Sequence, residues 1–201
     1  MRKQILQKLF PQYCTLCQVN SADEQHSLLC EECLLNHTKS EIKCIFCDTP
    51  LPFRYEKSIK RLIHQLKFNF KPHLASLIAE LLYEQESLFL ETLPQSCVVI
   101  PMPTSRLRLA KRGYNPIALI AAKIAQFSQL NYEDGSLFKY AFTIPQSELS
   151  RKERLENLKG SFFIKRNPPS HVLLIDDVLT TGETFRKAAQ TLHNHGTKSI
   201  Y

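Results

Sequence analysis

The chain lacks the features that mark several large protein classes. In its 201 residues no apolar run approaches the roughly 18 residues that cross a bilayer. Gln7 and Lys8 interrupt the basic N-terminus before a signal-peptide core forms. There is no nucleophile elbow, Walker loop or dinucleotide fingerprint, and the histidines at 64, 73, 171, 193 and 195 form no catalytic pattern. We therefore expect a cytoplasmic protein without membrane insertion.

Charge is distributed unevenly along the chain. Hydrophobic residues make up 43% and charged residues 22%, which is typical of a globular protein. The formal net charge is +7, and residues 101–170 carry all of it, with 12 Lys or Arg against 5 Asp or Glu. Such a basic segment indicates an anionic partner, polyphosphate or nucleic acid, unless it is only a solvated surface.

Six of the seven cysteines form three Cys-x-x-Cys pairs near the N-terminus. In a reducing compartment such pairs favour metal ligation over disulfides. The spacing of the first two pairs suits a zinc ribbon with four thiolate ligands, Cys14, Cys17, Cys30 and Cys33. Three roles stay open for Cys44 and Cys47: a site completed by His26 or His37, weak metal binding, or pairing with the second pair in place of the first. The seventh, Cys97, is expected in the core.

Apolar periodicity predicts an α/β fold after the cysteine-rich segment. Helical spacing appears from residue 59 to 66, from 74 to 82, from 117 to 127 and from 184 to 195. Continuous apolar runs at 97–100 and 172–175, and weaker ones at 161–164 and 198–201, predict strands. Strands alternating with helices indicate a mainly parallel sheet flanked by helices. We place the domain boundary between residues 1–52 and 53–201.

The most informative stretch follows the strand at 172–175. Two adjacent carboxylates, Asp176 and Asp177, stand at its carboxyl end, where open α/β sheets bind ligands. A helix then begins, and its free N–H groups suit a phosphate. Gly182 allows close backbone approach, and further contacts are expected from Thr180, Thr181, Glu183 and Thr184. The carboxylates are explained if they hold ribose hydroxyls and, directly or through water, Mg²⁺.

A second anion-binding turn is predicted after the strand at 97–100. Pro103, Thr104, Ser105 and Arg106 follow it directly. Backbone N–H groups and an Arg side chain in such a turn can contact pyrophosphate oxygens. An ordinary proline-rich strand exit would have the same sequence.

The stretch from Asp176 to Thr184 resembles the signature of type I phosphoribosyltransferases, which binds 5-phosphoribosyl-1-pyrophosphate (PRPP). With the cysteine pairs ahead of it, the chain resembles the ComF family of competence-associated phosphoribosyltransferase-like proteins from about Cys14 to Tyr201. Segments 63–68, 100–115, 146–157 and 160–162 extend the likeness. ComF relatives commonly carry a fourth cysteine pair, which this chain lacks, and Pro116 replaces a usual Gln.

The resemblance implies a type I phosphoribosyltransferase-like domain behind a zinc ribbon. It implies PRPP with Mg²⁺ as ligand, phosphate contacts from Lys67 and Arg112, and a mobile loop bearing Arg151 and Arg154 that closes over the leaving pyrophosphate. Asp176 and Asp177 would hold the ribose during transfer. It also implies a role in natural transformation, with DNA-uptake proteins as partners.

Whether the chain is an enzyme stays open, because the sequence contains no recognisable acceptor site. One alternative is a non-enzymatic competence factor that binds single-stranded DNA through the basic segment, with Tyr114 and Phe127 stacking on bases. The other is a regulatory protein that senses PRPP without transferring its ribose.

Overall fold

The computed structural model describes residues 13–18, 29, 30, 32, 33, 52–139 and 162–201. Their main element is a four-stranded sheet in which every pairing is parallel. In spatial order its strands are β2 (Asn131–Tyr132), β1 (Cys97–Pro101), β5 (His171–Ile175) and β6 (Ser199–Ile200). The predicted α/β fold with a parallel sheet is confirmed.

Five helices accompany the sheet in the described part of the chain. They are α1 (Lys57–Phe68), α2 (Leu74–Glu91), α3 (Arg106–Arg112), α4 (Pro116–Ser128) and α5 (Glu183–Asn194). Four of them match helices predicted from apolar spacing, and α3 was not predicted. None of the helices within the described ranges has the length and apolar character of a membrane span.

The two central strands are buried on both faces, which explains their continuous apolar sequences. Successive side chains of a strand point to opposite faces. Leu173 therefore packs on the side of α1, α2 and α4, whereas Val172 and Leu174 pack on the side of α5. The core on the side of α1, α2 and α4 also includes Cys14, Leu29 and Cys30, so these N-terminal residues pack against the helices on that face of the sheet.

A separate two-stranded hairpin lies beside α5. β3 (Leu137–Lys139) pairs antiparallel with β4 (Phe162–Ile164). The strand predicted at 161–164 is therefore present at 162–164, but it does not join the parallel sheet. Phe138 and Phe163 stack across the hairpin with ring centroids 5.4 Å apart.

Asn115 fixes the start of α4 relative to the end of β1. Its side-chain oxygen accepts the N–H of Ile117 at 3.2 Å, and its amide nitrogen donates to the carbonyl of Met102 at 3.2 Å. Pro116 follows at the first helical position, where its missing N–H costs nothing. This agrees with the helix start predicted from Asn115 and Pro116.

Replacing Asn115 by alanine removes both contacts. We expect Asn115→Ala to lower the free energy of unfolding by about 1–2 kcal/mol, the upper part of the range for a lost N-terminal cap, because the bond to Met102 is lost as well. At this chain length that corresponds to a melting temperature lower by roughly 2–8 °C. Ser105→Ala is the matched control, because Ser105 caps α3, which buries no side chain. A loss for Ser105→Ala as large as that for Asn115→Ala would contradict this assignment.

Candidate functional site

Two strand ends meet at the carboxyl edge of the sheet. In the β1–β5 pairing, Pro101 lies opposite Ile175. The N–H of Met102 donates to the carbonyl of Ile175 at 2.7 Å, which ties the exit of β1 to the exit of β5. The predicted turn at 103–106 and the acid pair at 176 and 177 therefore leave the sheet side by side.

The Asp176 side chain is exposed at the end of β5, but it stands in a concave part of the surface, where neighbouring atoms partly remove its carboxylate from water. Its carboxylate accepts the N–H of Asp177 at 2.8 Å. Burial, and then the neighbouring charge of Asp177, raise the pKa of Asp176 to about 6. The nearby cations Lys67 and Lys139 act in the opposite direction without cancelling the rise. The site therefore holds a carboxylate that is charged at neutral pH at a free-energy cost.

Asp177 forms an ion pair with Lys67, the residue predicted from the resemblance to contact a phosphate. Lys67 belongs to the last turn of α1, so this contact joins α1 to the tip of β5. Both side chains are largely shielded from solvent. Beside them, the Arg112 guanidinium lies 5.4 Å from the centre of the Phe68 ring. Lys67 therefore contacts the acid pair directly, whereas Arg112 contacts the ring of the next residue along α1.

The N-terminus of α5 faces the same edge. Gly182 precedes the helix in the left-handed region, with φ of 72°, and brings no side chain to cap it. Thr181 accepts the N–H of Glu183 through its hydroxyl at 3.4 Å, while Thr180 and Thr184 are exposed. Glu183 itself is bound by Arg186 through two hydrogen bonds of 2.8 and 2.9 Å. Its carboxylate is therefore engaged along the helix.

The turn after β1 leads into an exposed basic helix. Pro103, Thr104 and Ser105 are half-buried, and Arg106 is exposed at the first position of α3. The Ser105 hydroxyl accepts the N–H of Arg108 at 3.4 Å. The structure thus brings this turn to the edge that holds the acid pair.

Lys139 is a site residue that the sequence did not reveal. It lies on β3 within electrostatic reach of Asp176. Burial, and then the charge of Arg108, lower the pKa of Lys139, and Asp176 opposes that change. No sequence signal identified Lys139, because its strand has only three residues.

The cysteines 14, 17, 30 and 33 converge on one point. Their sulfur atoms all lie within 4.8 Å of one another, and those of Cys17 and Cys30 are 3.7 Å apart. A tetrahedral ion with Zn–S bonds of about 2.3 Å requires sulfur atoms about 3.8 Å apart, whereas a disulfide requires about 2 Å. Burial raises the pKa of Cys14, but backbone N–H groups of Cys17, Cys30 and Leu16 outweigh it and lower the pKa to about 6. The four cysteines are positioned to bind a metal ion, and zinc fits this donor set.

Gln65 connects this cysteine cluster to α1. Its side-chain nitrogen donates to the carbonyl of Thr15, between Cys14 and Cys17, at 3.2 Å. Its side-chain oxygen accepts from Lys71 at 3.0 Å. Gln65 is two residues from Lys67, so one helix end contacts both the cysteine cluster and the acid pair.

Several predicted residues lie outside the described part of the chain. These are the third cysteine pair, the histidines offered as its partners, and the arginines of the mobile loop: Cys44, Cys47, His26, His37, Arg151 and Arg154. Their roles stay predictions. Within the described part, Tyr114 and Phe127 are half-buried against the core, and their role in base stacking stays a prediction. The Tyr114 hydroxyl donates to the carbonyl of Leu66 at 2.5 Å.

Fold and site together define an α/β protein with a parallel sheet and four cysteines positioned to bind a metal ion. No family model matches the chain. It is 28% identical to the DNA utilization protein YhgH of Escherichia coli K12, over 93% of this chain and 86% of that protein. It is 28% identical to Competence protein F of Haemophilus influenzae, over 99% and 85% of the two chains. With Competence protein ComFC of Streptococcus pneumoniae it shares 31% identity, over 74% and 63%.

These similarities confirm the resemblance to the ComF family that the cysteine pairs and the loop after β5 predicted. The similarity to the first two relatives spans nearly the whole chain, so it includes the cysteine cluster as well as the sheet.

Removing one thiol of the cluster should remove its metal. We expect Cys30→Ser to contain one zinc ion fewer per chain than the parent and to melt at a lower temperature, because the metal contributes folding free energy. Zinc content is measured by release to a chromogenic chelator. Cys97→Ala is the control, since Cys97 is a buried core thiol outside the cluster. Unchanged zinc content in Cys30→Ser would contradict the assignment.

The cost of the Asp176 charge should be visible in the pH dependence of stability. Because the pKa is raised from 3.8 to about 6, the folded state binds the proton more tightly, and this group's stability contribution falls as pH rises through that window. We expect Asp176→Asn to melt about 2 °C above the parent at pH 8. The corresponding gain in the free energy of unfolding is less than about 1 kcal/mol, because solvent screens the charge of Asp176. The difference should vanish below pH 4. Asp134→Asn, which removes an exposed carboxylate outside the site, is the control.

Proposed function

We propose that the chain binds PRPP, together with Mg²⁺, at the carboxyl ends of β1 and β5. The observation that carries this proposal is an acid pair at the tip of a buried parallel strand, a few residues before the N-terminus of a helix whose N-cap residue is Gly182. Open α/β sheets bind ligands at this position, and a helix N-terminus stabilises a phosphate.

Each part of a phosphoribosyl ligand has a counterpart in this proposal. Asp176 and Asp177 accept hydrogen bonds from the ribose hydroxyls. Residues 180–184 hold the 5-phosphate through the N–H groups at the start of α5 and the exposed threonine hydroxyls. Glu183 belongs to this segment, and its pairing with Arg186 directs its charge along the helix. That pairing reduces its repulsion of a phosphate.

The pyrophosphate lies, in this proposal, against the turn at 103–106. Arg112 and Lys67 supply positive charge from the neighbouring elements. Lys67 has three N–H donors, so it can remain paired with Asp177 and also donate a hydrogen bond to a phosphate oxygen. Asp176 and Asp177 supply the oxygen ligands that Mg²⁺ prefers, directly or through water, and the ion would offset the charge of the pyrophosphate.

The same arrangement suits a phosphoribosyltransferase. Pyrophosphate would be displaced from the anomeric carbon through an oxocarbenium-like transition state. The acid pair would hold the ribose, and the 103–106 turn with Arg151 or Arg154 would stabilise the leaving group. A regulatory protein that senses PRPP would use this site without the displacement.

We propose a role in DNA uptake during natural transformation, with competence proteins as partners. Support comes from the names of the relatives, which describe DNA utilization and competence. We further propose that residues 1–52 form a zinc-ribbon module and that residues 53–201 form a phosphoribosyltransferase-like domain.

A second candidate function, binding of single-stranded DNA, is favoured by the surface around α3. This helix buries no side chain and presents Arg106, Arg108, Lys111 and Arg112. Phe68, 59% exposed at the end of α1, contacts the Arg112 guanidinium, and Phe70, two residues further along the chain, is 65% exposed. Cations beside exposed aromatic rings suit phosphate contacts and base stacking.

The PRPP proposal is tested by calorimetric titration of PRPP with Mg²⁺. We expect saturable binding to the parent and at least about tenfold weaker binding to the double variant Asp176→Ala/Asp177→Ala, a loss of about 1.4 kcal/mol or more. Asp134→Ala is the matched control, since it removes an exposed carboxylate from a surface turn outside the site. Equal affinity in the parent and the double variant would refute the proposal.

Titration of the same proteins with single-stranded DNA separates the two functions. A DNA surface at α3 should bind with strong salt dependence and should not lose affinity in the double variant, because DNA binding there uses phosphate contacts. Displacement of bound DNA by PRPP would show that one basic cleft serves both ligands.

A further inference from the structure

The cysteine cluster contacts α1 through the side chain of Gln65. Its side-chain nitrogen donates to the carbonyl of Thr15 at 3.2 Å. Thr15 belongs to the turn from Cys14 to Gln18, which is closed by a backbone hydrogen bond of 2.9 Å between these two end residues. Two of the four cysteines lie in this turn, so a bound metal ion would fix its backbone. The position of the Thr15 carbonyl therefore depends on whether the cluster holds a metal ion.

The last turn of α1 depends on such polar contacts because the buried face of the helix ends at Leu66. Phe68 and Asn69, which follow, are exposed. Phe70 is exposed as well, and its φ of 53° lies in the left-handed region, which a bulky side chain rarely adopts. A backbone of this kind persists where neighbouring contacts enforce it. Since helix ends open at a low free-energy cost, the loss of a polar partner would release this turn.

Lys67 lies in the same turn and forms the ion pair with Asp177. Release of the turn would move its ammonium group away from the carboxylate. Asp176 and Asp177 would then repel each other with less compensation, because Lys67 also acts on Asp176. An anionic ligand at the end of β5 would at the same time lose a cation that faces it.

We infer that the cysteine cluster, when it holds a metal ion, controls the ligand affinity of the site at Asp176 and Asp177, and that Gln65 is the positioning residue that couples the two. The inference rests on the proposed function in one respect, namely that PRPP is the ligand whose affinity changes. Coupling between two binding sites is reciprocal, so PRPP should also make the metal ion harder to remove.

Gln65→Met tests the coupling, because it removes both side-chain hydrogen bonds of Gln65 and keeps a long, uncharged side chain with good helix propensity. Gln126→Met is the matched control, since Gln126 is an exposed helical residue whose oxygen also accepts from a lysine, Lys123, at 3.1 Å. Lys71→Met removes the donor to the Gln65 oxygen and leaves the Thr15 contact in place.

We expect zinc-loaded Gln65→Met to bind PRPP with Mg²⁺ at least about fivefold more weakly than the parent in calorimetric titrations, the lower end of typical couplings. Zinc-loaded Gln126→Met and Lys71→Met should bind it as the parent does. Zinc content is measured on each protein before titration, and melting curves establish that each variant folds.

Equilibrium competition with a chromogenic chelator measures the reciprocal effect. Saturating PRPP with Mg²⁺ should raise the zinc affinity of the parent, and it should raise that of Gln65→Met by a smaller factor. The double variant Asp176→Ala/Asp177→Ala controls for zinc that PRPP binds in solution. Its zinc affinity should not rise with PRPP.

Hydrogen exchange tests the link without any ligand. Zinc-loaded Gln65→Met should exchange the amides of the last turn of α1 faster than the parent, and so should Cys30→Ser, which loses the metal. Exchange in α5, whose buried side chains belong to the opposite core, should stay unchanged and show that the chain is folded. Gln65→Met carries this test by itself if Cys30→Ser does not fold.

Unchanged PRPP affinity in Gln65→Met would overturn the inference and leave the proposed function intact. A loss in Lys71→Met as large as that in Gln65→Met would overturn the role given to the Thr15 contact. Faster exchange at the end of α1 in Gln65→Met, combined with a parent that binds no PRPP, would support the link from the cluster to Lys67 and refute the proposed function.

Discussion

The parallel pairing of β1 with β5 is the constraint on which the candidate site depends. It places the exits of both strands at one edge and sets Pro101 opposite Ile175. Both faces of β5 are buried, with Leu173 in one core and Leu174 in the other. A slip of one residue in the pairing would move each of these side chains to the opposite face of the sheet. The register is therefore strongly specified, and the position of the acid pair is as well defined as the packing of the two cores.

α1 extends this constraint to the cysteine cluster. Within three consecutive residues its last turns contact the Thr15 carbonyl through Gln65, the Tyr114 hydroxyl through the Leu66 carbonyl, and Asp177 through Lys67. Cys14 and Cys30 are buried in the same core as α1. A metal ion bound by the cysteines would rigidify the cluster and, through Gln65, the end of α1. Lys67 would then be held next to Asp177 at the end of β5.

The sequence predicted the features that depend on apolar periodicity or on fixed spacing. These include β1, β5, α4, α5 and the four-cysteine set. It did not predict α3, which has no buried side chain, or the pairing of β3 with β4, because strands of three residues carry too little alternation. Lys139 was missed for the same reason.

The electrostatics of the strand tip connect stability with the proposed function. Partial burial, and then the repulsion from the adjacent carboxylate of Asp177, raise the pKa of Asp176 and make its charge unfavourable. Lys67 and Lys139, from α1 and from the hairpin, partly offset it. The cations are contributed by two different elements, so the arrangement exists only when α1 and the hairpin are both folded onto the sheet. A ligand with several hydroxyl donors would satisfy the carboxylates more fully than the protein does by itself, and such incomplete compensation is expected where a protein retains unfavourable charge for binding.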